Sequence, residues 1–125
     1  MAVRLQDREA EVTVIELPFP PAQNNLFINL RKGRARSQRY DQWIQEAGWE
    51  LQRQRPPVIL GSVVVKYTFN PPDKRRRDLS GLVKAPEDLL VSHGVIEADD
   101  TRIVRSFSTH ISESVTGVKI EITSV

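Results

Sequence analysis

The sequence predicts an α+β fold, with a small mixed or antiparallel sheet of four to five strands and two helices on one face. Several segments alternate apolar and polar residues as half-buried strands do, and two others repeat apolar residues at helical spacing. The resulting order of elements, β-β-α-β-α-β-β, is typical of a sheet with helices packed on it. Because no repeat or linker divides the chain, we expect residues 1–125 to form a single domain.

The N-terminal half is predicted to contain two strands followed by a long helix. Residues 11–17 alternate with a period of two, and the proline-rich segment 18–25 that follows is expected to be an ordered loop. Residues 26–30 predict a short strand that leads into a basic loop at residues 32–36. Ser37 is a favourable N-cap for a helix that runs to Gln54, in which apolar residues recur at helical spacing.

The C-terminal half is predicted to contain a strand, a helix and two further strands. Residues 62–69 are rich in β-branched and aromatic residues, which favours a strand. Residues 79–92 predict a helix, but a proline inside it, Pro86, would cost about 3 kcal/mol. We therefore expect a break near Ala85, with Pro86 as the first residue of a new helix. Residues 102–112 and 117–124 both alternate, and the segment between them predicts a hairpin.

The composition is that of a globular protein, with 39% hydrophobic and 27% charged residues. No stretch approaches the roughly 20 apolar residues that a membrane span needs. The N-terminus lacks the apolar segment of a secretory signal. Cysteine is absent, which excludes disulfides and thiolate metal sites. These features favour a cytoplasmic protein without a membrane partner.

The distribution of charge is more informative than the net charge of +2. One basic cluster lies between residues 32 and 39, and a second is the run of residues 74–77; the acids gather at residues 7–11 and 87–100. A single basic cluster is usually a solvated surface. Two clusters, each beside a predicted loop, favour a surface that binds a polyanion.

The most informative segment is Pro71–Lys84, in which four consecutive cations precede Asp78 and Lys84 follows six residues later. Folding gains nothing from so much positive charge beside an acid, whereas a site that holds a polyanion against a metal ion needs it. A second acidic group follows at Glu97, Asp99 and Asp100. Mg²⁺ binds carboxylates, waters and phosphates, and it can activate water for attack on a phosphodiester. The pattern therefore suggests a metal site that cuts phosphodiesters.

Each of these residues also has a structural interpretation. Asp78 could cap the following helix, while Asp99 and Asp100 could form a turn before Arg102; from spacing alone this interpretation is slightly favoured. Lys84 alone is more typical of a solvated helix surface. Glu87 and Asp88 are more typical of the acids that stabilise a helix N-terminus than of metal ligands.

Residues 14–122 resemble the RusA-type Holliday junction resolvases in several ordered motifs. The segment IELPFPPAQNN is similar to the family's Leu-Pro-aromatic-Pro-Pro-x-x-Asn opening, which a short basic hairpin follows. Tyr40 is at the family's tyrosine position. The segment PDKRRRDLSGLVK is similar to the family's basic run, Asp-Leu-Asp-Asn-Leu and lysine. The segment GVIEADDTRIV resembles its glycine, acidic pair and following strand.

This resemblance implies a homodimeric α/β domain that nicks four-way DNA junctions with Mg²⁺ or Mn²⁺, using no small-molecule cofactor. Carried over by position, Asp78, Lys84 and Asp100 would be catalytic, and Asp78, Asp99 and Asp100 would bind the metal. The residues implied to contact the DNA backbone, which give salt-dependent affinity rather than sequence choice, are Arg34, Arg36, Lys74, Arg75, Arg76 and Arg77.

Two positions depart from the family pattern. Ser80 replaces the second aspartate, and Gly81 replaces the usual asparagine. A serine hydroxyl cannot supply the negative charge that holds Mg²⁺. The sequence therefore leaves three functions open: a junction endonuclease in which Asp99 or Glu97 compensates for the missing acid, a RusA-like protein that binds junctions but cuts them weakly or not at all, and a structural protein with incidental charge.

Overall fold

The structure is a computed structural model that describes residues 11–125. Residues 7–10, which belong to the N-terminal acidic group noted above, lie outside the described part. The elements in chain order are β1 (Val12–Leu17), β2 (Phe27–Asn29), β3 (Arg34–Arg36), α1 (Gln38–Gln54), β4 (Val63–Phe69), α2 (Lys84–Ser92), β5 (Val104–Ile111) and β6 (Val118–Ser124), with short 3₁₀ turns at Gln23–Asn25 and Leu79–Leu82. No helix among these residues is long and apolar enough to cross a membrane.

The main sheet has four strands in the order β1-β6-β4-β5, and β2 and β3 form a separate antiparallel pair. Strand β6 is antiparallel to both of its neighbours, whereas β5 is parallel to β4. Both helices bury their apolar residues in one core with a single face of this sheet. Residues from adjacent strands pair across that face, as Ile15 does with Ile120, and Ile120 with Tyr67. The mixed sheet with two helices confirms the predicted α+β class.

Helix α1 has the predicted bounds and buries the predicted apolar face. The Ser37 hydroxyl accepts a hydrogen bond from the backbone N–H of Tyr40 at 3.1 Å, which caps the first turn. Tyr40, Trp43, Ala47 and Leu51 are buried at helical spacing. Arg55 ends the helix in the left-handed conformation, and two prolines follow.

The segment around Pro86 breaks as predicted, but Pro86 is the third residue of α2 rather than the first. The chain leaves the 3₁₀ turn at Leu82 and begins α2 at Lys84. The first four N–H groups of a helix have no acceptor within it, so a proline fits at the third position as well as at the first.

The predicted hairpin between the last two strands is wrong. Both segments are strands, but β5 and β6 lie on opposite sides of β4 and do not pair. The reason lies upstream: α2 carries the chain back along the sheet so that β5 runs parallel to β4. Strand β6 then fills the place between β4 and β1, where Val118, Ile120 and Ile122 are buried.

A tight turn before β6 holds the start of the proline-rich loop. Gly117 has a φ of +66°, and a Cβ atom there would collide with the carbonyl oxygen of Leu17, the last residue of β1. Gly61 has a similar φ of +83° but open space around it. Both glycines therefore adopt the left-handed backbone conformation, but only Gly117 is packed closely against a neighbouring strand.

We predict that Gly117→Ala destabilises the protein more than Gly61→Ala. Both should lose about 1–2 kcal/mol to the left-handed backbone, and Gly117→Ala about 1–3 kcal/mol more to steric crowding. Chemical denaturation of the two variants measures the difference. Equal losses would contradict the close packing of Gly117 against β1.

Candidate functional site

A cleft of about 1020 Å³ lies between the proline-rich loop and the basic segment after β4. One wall is the loop from Phe19 to Asn25, and the other is formed by residues 75–78 with Ser80 and Gly81. Arg39, in the first turn of α1, also lines it. The cleft is thus lined by backbone, side-chain amides, several guanidinium groups and one carboxylate, that of Asp78.

The N-terminal end of α1 fixes the first wall. The indole N–H of Trp43 donates to the carbonyl oxygen of Pro18 at 3.0 Å, and the Ser37 hydroxyl donates to that of Asn25 at 2.7 Å. The backbone N–H of Ser37 donates to the carbonyl oxygen of Leu26 at 2.8 Å. Because Trp43 is buried in the core, the loop is tied to a rigid element at both ends.

Asp73 organises the second wall. Its carboxylate accepts the backbone N–H of Arg75 at 2.9 Å and contacts the guanidinium groups of Arg75 and Arg77 at 3.1 and 2.9 Å. Arg77 also donates to the carbonyl oxygens of residues 73 and 75, and its guanidinium carbon lies 5.3 Å from the centre of the Phe19 ring. Hydrogen bonds from Arg77 and then Arg75 hold the pKa of Asp73 well below its usual range.

The four cations of the run therefore have different roles in the structure. The Arg77 side chain is only 14% exposed and spans both walls of the cleft, through Asp73 on one side and Phe19 on the other. Within residues 11–125, Lys74 and Arg76 have exposed side chains and form no ion pair. Those two remain free to meet an anion, and Arg76 lines the cleft.

The structure does not support Asp78 as a side-chain cap. Asp78 stands at the N-cap position of the turn Leu79–Leu82 with extended backbone, but its carboxylate makes no capping hydrogen bond. The residue is exposed and lines the cleft beside Ser80. An acid that does not stabilise its own helix is available for a ligand.

Lys84 and Asp99 belong to a second cluster, which also contains Glu87 and Asp88 and does not line the cleft. The ammonium of Lys84 lies 3.2 Å from the carboxylate of Asp88, one turn along α2. That hydrogen bond raises the pKa of Lys84, and the charges of Asp88, Asp99 and Glu87 raise it further. Burial raises the pKa of Glu87, as do the charges of Asp99 and Asp88.

Asp100 forms hydrogen bonds and an ion pair with Arg102. This agrees with the interpretation of Asp99 and Asp100 as a turn before Arg102. The Asp100 carboxylate accepts the backbone N–H of Arg102 at 2.9 Å and its guanidinium at 2.8 Å, and these bonds lower the pKa of Asp100. Glu97 accepts the backbone N–H of Gly61 at 2.6 Å. In the described part of the chain, no three His, Cys, Asp or Glu side chains stand together as a metal-binding group. The structure therefore does not gather Asp78, Asp99 and Asp100 at one point.

The first basic cluster forms the β2–β3 pair rather than an open loop. The guanidinium of Arg34 lies 4.1 Å from the centre of the Phe27 ring, a cation–π contact. Arg36 forms an ion pair with Asp41 at 2.9 Å. Both arginines are exposed.

Sequence reasoning did not select Arg39, the Gln23–Asn25 turn or Glu87 as site residues. A signal existed for the first two: Arg39 belongs to the basic cluster, and the turn ends the Pro-Pro-x-x-Asn motif. Glu87 gave no such signal, because an acid early in a helix is expected for helix stability alone.

Two comparisons connect this arrangement to known proteins. Residues 18–123 match the model of a family described as endodeoxyribonuclease RusA. A crossover junction endodeoxyribonuclease RusA from Aquifex aeolicus (strain VF5) is 30% identical over 94 residues, which are 74% of this chain and 73% of that protein. The family match includes both walls of the cleft and the second cluster, and it confirms the resemblance seen in the motifs.

We predict that Arg77→Gln raises the pKa of Asp73 and that Arg76→Gln does not, because the Arg77 side chain contacts the Asp73 carboxylate and the Arg76 side chain does not. Because the pKa of Asp73 is lowered in the folded protein, its ionised carboxylate stabilises the loop fully at pH values above the ordinary carboxyl pKa of about 4. This stabilisation is lost as the pH falls through the lowered pKa of the folded protein. NMR titration of the Asp73 side-chain carboxyl measures both variants. Equal shifts would show that general positive charge, rather than the Arg77 contact, sets the pKa.

Proposed function

Because the chain belongs to the RusA endodeoxyribonuclease family, we propose that it is a divalent-metal-dependent endonuclease that resolves four-way DNA junctions by paired nicking. The observation that carries the proposal is the cleft, which Asp78 lines together with Arg39, Arg75 and Arg76. The Asp78 carboxylate makes no capping hydrogen bond. Positive groups there can hold DNA phosphates while the acid remains available for a metal ion. We further propose that the protein is cytoplasmic, in keeping with DNA as its proposed substrate.

DNA binding would rest on the exposed cations of both basic clusters. Lys74 and Arg76 have no ion pair to break within residues 11–125, so we expect them to contribute most to phosphate binding. Arg34 and Arg36 would extend the surface along the β2–β3 pair, and Arg75 shares its charge with Asp73. Arg77 would act mainly by shaping the cleft, since it is largely buried. Such contacts give affinity that falls steeply with salt.

The donor chemistry fits Mg²⁺ or Mn²⁺, because these ions take one or two carboxylates together with waters and substrate phosphates. Asp78 would hold the ion in the cleft. Asp99 and Asp100, the further proposed ligands, do not line the cleft and would have to approach Asp78 when the ion and DNA bind. A bound ion would activate water and stabilise the charge that builds on the phosphodiester. For Asp100 to take part, Arg102 must yield at least one carboxylate oxygen.

Lys84 would assist at the phosphate as a protonated side chain. Its pKa is raised by Asp88 and the neighbouring acids, so it carries a positive charge at neutral pH. Asp88 restrains the ammonium at 3.2 Å. A fixed positive charge of this kind stabilises negative charge that develops on the departing oxygen.

A second candidate is a RusA-like protein that binds junctions but cuts them weakly or not at all. The observation that favours it is Ser80, which lines the cleft next to Asp78 where the family pattern has an acid. With a neutral hydroxyl there, Asp78 is the single carboxylate lining the described cleft. Binding would survive this change, because the cations are retained.

We also propose that the chain is one domain that acts as a homodimer, since paired nicking needs two sites. The described residues share a single core. Strand β5 is an edge of the main sheet, and within the described residues it pairs only with β4. Phe107 and Ile111 stand on its core-facing side, level with Val65 and Phe69, yet they are 50% and 54% exposed. An apolar edge of this kind suits a second copy of the chain.

We predict Mg²⁺-dependent cleavage of a synthetic four-way junction, which Asp78→Asn and Asp100→Asn should each reduce by more than about 100-fold, because even outer-shell partners of metal ligands are worth about 10- to 100-fold. Junction binding in Ca²⁺, measured by gel shift, should be retained in both variants. Robust cleavage by both would refute the proposed metal site.

The Ser80→Asp variant separates the two candidate functions. If the wild type binds junctions tightly and cuts them poorly, Ser80→Asp should increase the cleavage rate, because it adds a carboxylate beside Asp78. If Ser80→Asp neither binds Mg²⁺ better nor cuts faster, the loss of one acid does not explain weak cleavage. Ser80→Asn, which changes size without charge, is the matched control.

We predict that Phe107→Lys shifts the protein from dimer to monomer, because it places a charge on the apolar edge of β5. Trp49→Lys is the control, since Trp49 is also exposed, at 64%, but lies on α1. Sedimentation velocity measures both variants. A dimer that survives Phe107→Lys would place the interface elsewhere.

A further inference from the structure

The β2–β3 pair presents two exposed apolar side chains on one face. Because side chains alternate across a strand, Phe27 and Ile28 point to opposite faces of the pair. The Phe27 ring lies 5.9 Å from the Tyr40 ring, centre to centre, and therefore faces α1. Ile28 lies on the other face, and Leu30, two residues further along, shares that face. Ile28 and Leu30 are each 50% exposed.

No side chain in the described part of the chain shields this face. Ile28 is paired with Ala35, whose methyl group is too small to cover it. The backbone N–H of Leu30 donates to the carbonyl oxygen of Gly33 at 2.9 Å, which closes the turn and places Leu30 beside its tip. Single exposed apolar residues are ordinary on a protein surface. Two neighbours on one face of a projecting pair form a small apolar patch.

The surroundings of this patch are strongly basic. No acid stands between Glu16 and Asp41 in the sequence, whereas five cations do. Asp41 pairs with one of them, Arg36. Arg31 and Lys32 are exposed at the tip and form no ion pair within residues 11–125. Like charge would repel a second copy of this surface, and two side chains cover far less than the roughly 800 Å² per partner of a stable protein interface. The patch therefore suits a polyanion that also offers an apolar surface.

The β2–β3 pair is a firmly anchored extension of the first wall of the cleft. It follows the Gln23–Asn25 turn, which lines the cleft. The backbone N–H of Ser37 donates to the carbonyl oxygen of Leu26 at 2.8 Å, which joins the two ends of the pair, and Leu26 is fully buried. Three paired residues in each strand carry the tip about 10 Å from this anchor. A DNA arm that fills the cleft is therefore within reach of the pair.

Phosphate contacts alone do not distinguish a junction from a continuous duplex, because both carry the same backbone. A branch point differs in its bases, since stacking is interrupted there and the faces of base pairs can be reached. Proteins that bend DNA insert apolar side chains, leucine and isoleucine among them, at base steps and unstack them. The patch of Ile28 and Leu30 has this chemistry, and the cations beside it can hold the flanking phosphates.

We infer that Ile28 and Leu30 form a wedge that packs against the open base-pair faces at the branch point of a four-way junction. The wedge gives the protein its preference for branched over continuous DNA, whereas the basic clusters give affinity for both. This inference rests on the proposed binding of junctions, but it does not rest on their cleavage.

Fluorescence anisotropy in Ca²⁺ tests the wedge without cleavage. The full chain and its Ile28→Thr/Leu30→Gln double variant are titrated with a labelled four-way junction and with a linear duplex of equal nucleotide content. The double variant should bind the junction about tenfold or more weakly, the scale expected when two half-exposed apolar side chains no longer gain burial. Its affinity for the duplex should be unchanged.

The matched control is the Val58→Thr/Leu60→Gln double variant. Val58 and Leu60 are 68% and 74% exposed and do not line the cleft, so the same loss of apolar surface occurs at another place. This variant should bind both DNAs as the wild type does.

A 2-aminopurine base at the branch point reports the wedge directly, because its fluorescence rises when the base loses its stacking neighbours. The wild type should raise this fluorescence at the branch point but not in the middle of an arm, and the Ile28→Thr/Leu30→Gln variant should raise it at neither position. Equal junction preference and equal signals in the wild type and this variant would overturn the inference while leaving DNA binding intact.

The wedge and the nuclease activity can fail separately. A junction that is bound in preference to duplex through Ile28 and Leu30 but never cut would support the inference and refute cleavage. Loss of binding to phosphatidylserine vesicles in the double variant, with unchanged junction preference, would overturn the inference and assign the patch to a membrane surface. Absence of junction binding by the wild type at low salt would refute both the inference and the proposed function.

Discussion

The shape of the cleft depends on the ion pairs that the Asp73 carboxylate forms with Arg75 and Arg77. A run of four cations would repel itself in solution and leave the segment after β4 without a fixed path. Asp73 binds two of them, and Arg77 then reaches across to Phe19 on the opposite wall. This places Asp78 at the end of a constrained loop rather than in a helix cap. The geometry of the acid is thus set by its basic neighbours.

The acids around the site are separated into groups with different partners. Asp73 and Asp100 are bound by arginines, Asp88 by Lys84, and Asp78 by no side chain in the described residues. Pairing lowers the cost of gathering many carboxylates on a small domain. It also means that a metal ion would compete with Arg102 for Asp100, whereas Asp78 and Asp99 are free of ion pairs within residues 11–125. Ser80 sharpens this contrast, because it removes an acid from the cleft itself.

The sequence predicted well where local rules decide the structure and less well where tertiary packing does. Ser37 and the apolar spacing placed α1 to within a residue, and Pro86 marked a real break. The β5–β6 hairpin was wrong because alternation identifies a strand but does not identify its neighbour. The capping of Asp78 could not be decided from spacing, since the N-cap position does not determine which way the side chain points. Glu87 escaped notice because its partial burial arises only from packing.

The most direct test of the cleft as the working centre is a crystal structure of the protein with a four-way junction and Mn²⁺, analysed by manganese anomalous scattering. We expect an anomalous peak beside Asp78, with a DNA phosphate between that ion and Arg76. DNA bound to another face of the domain, with no manganese at Asp78, would contradict the account.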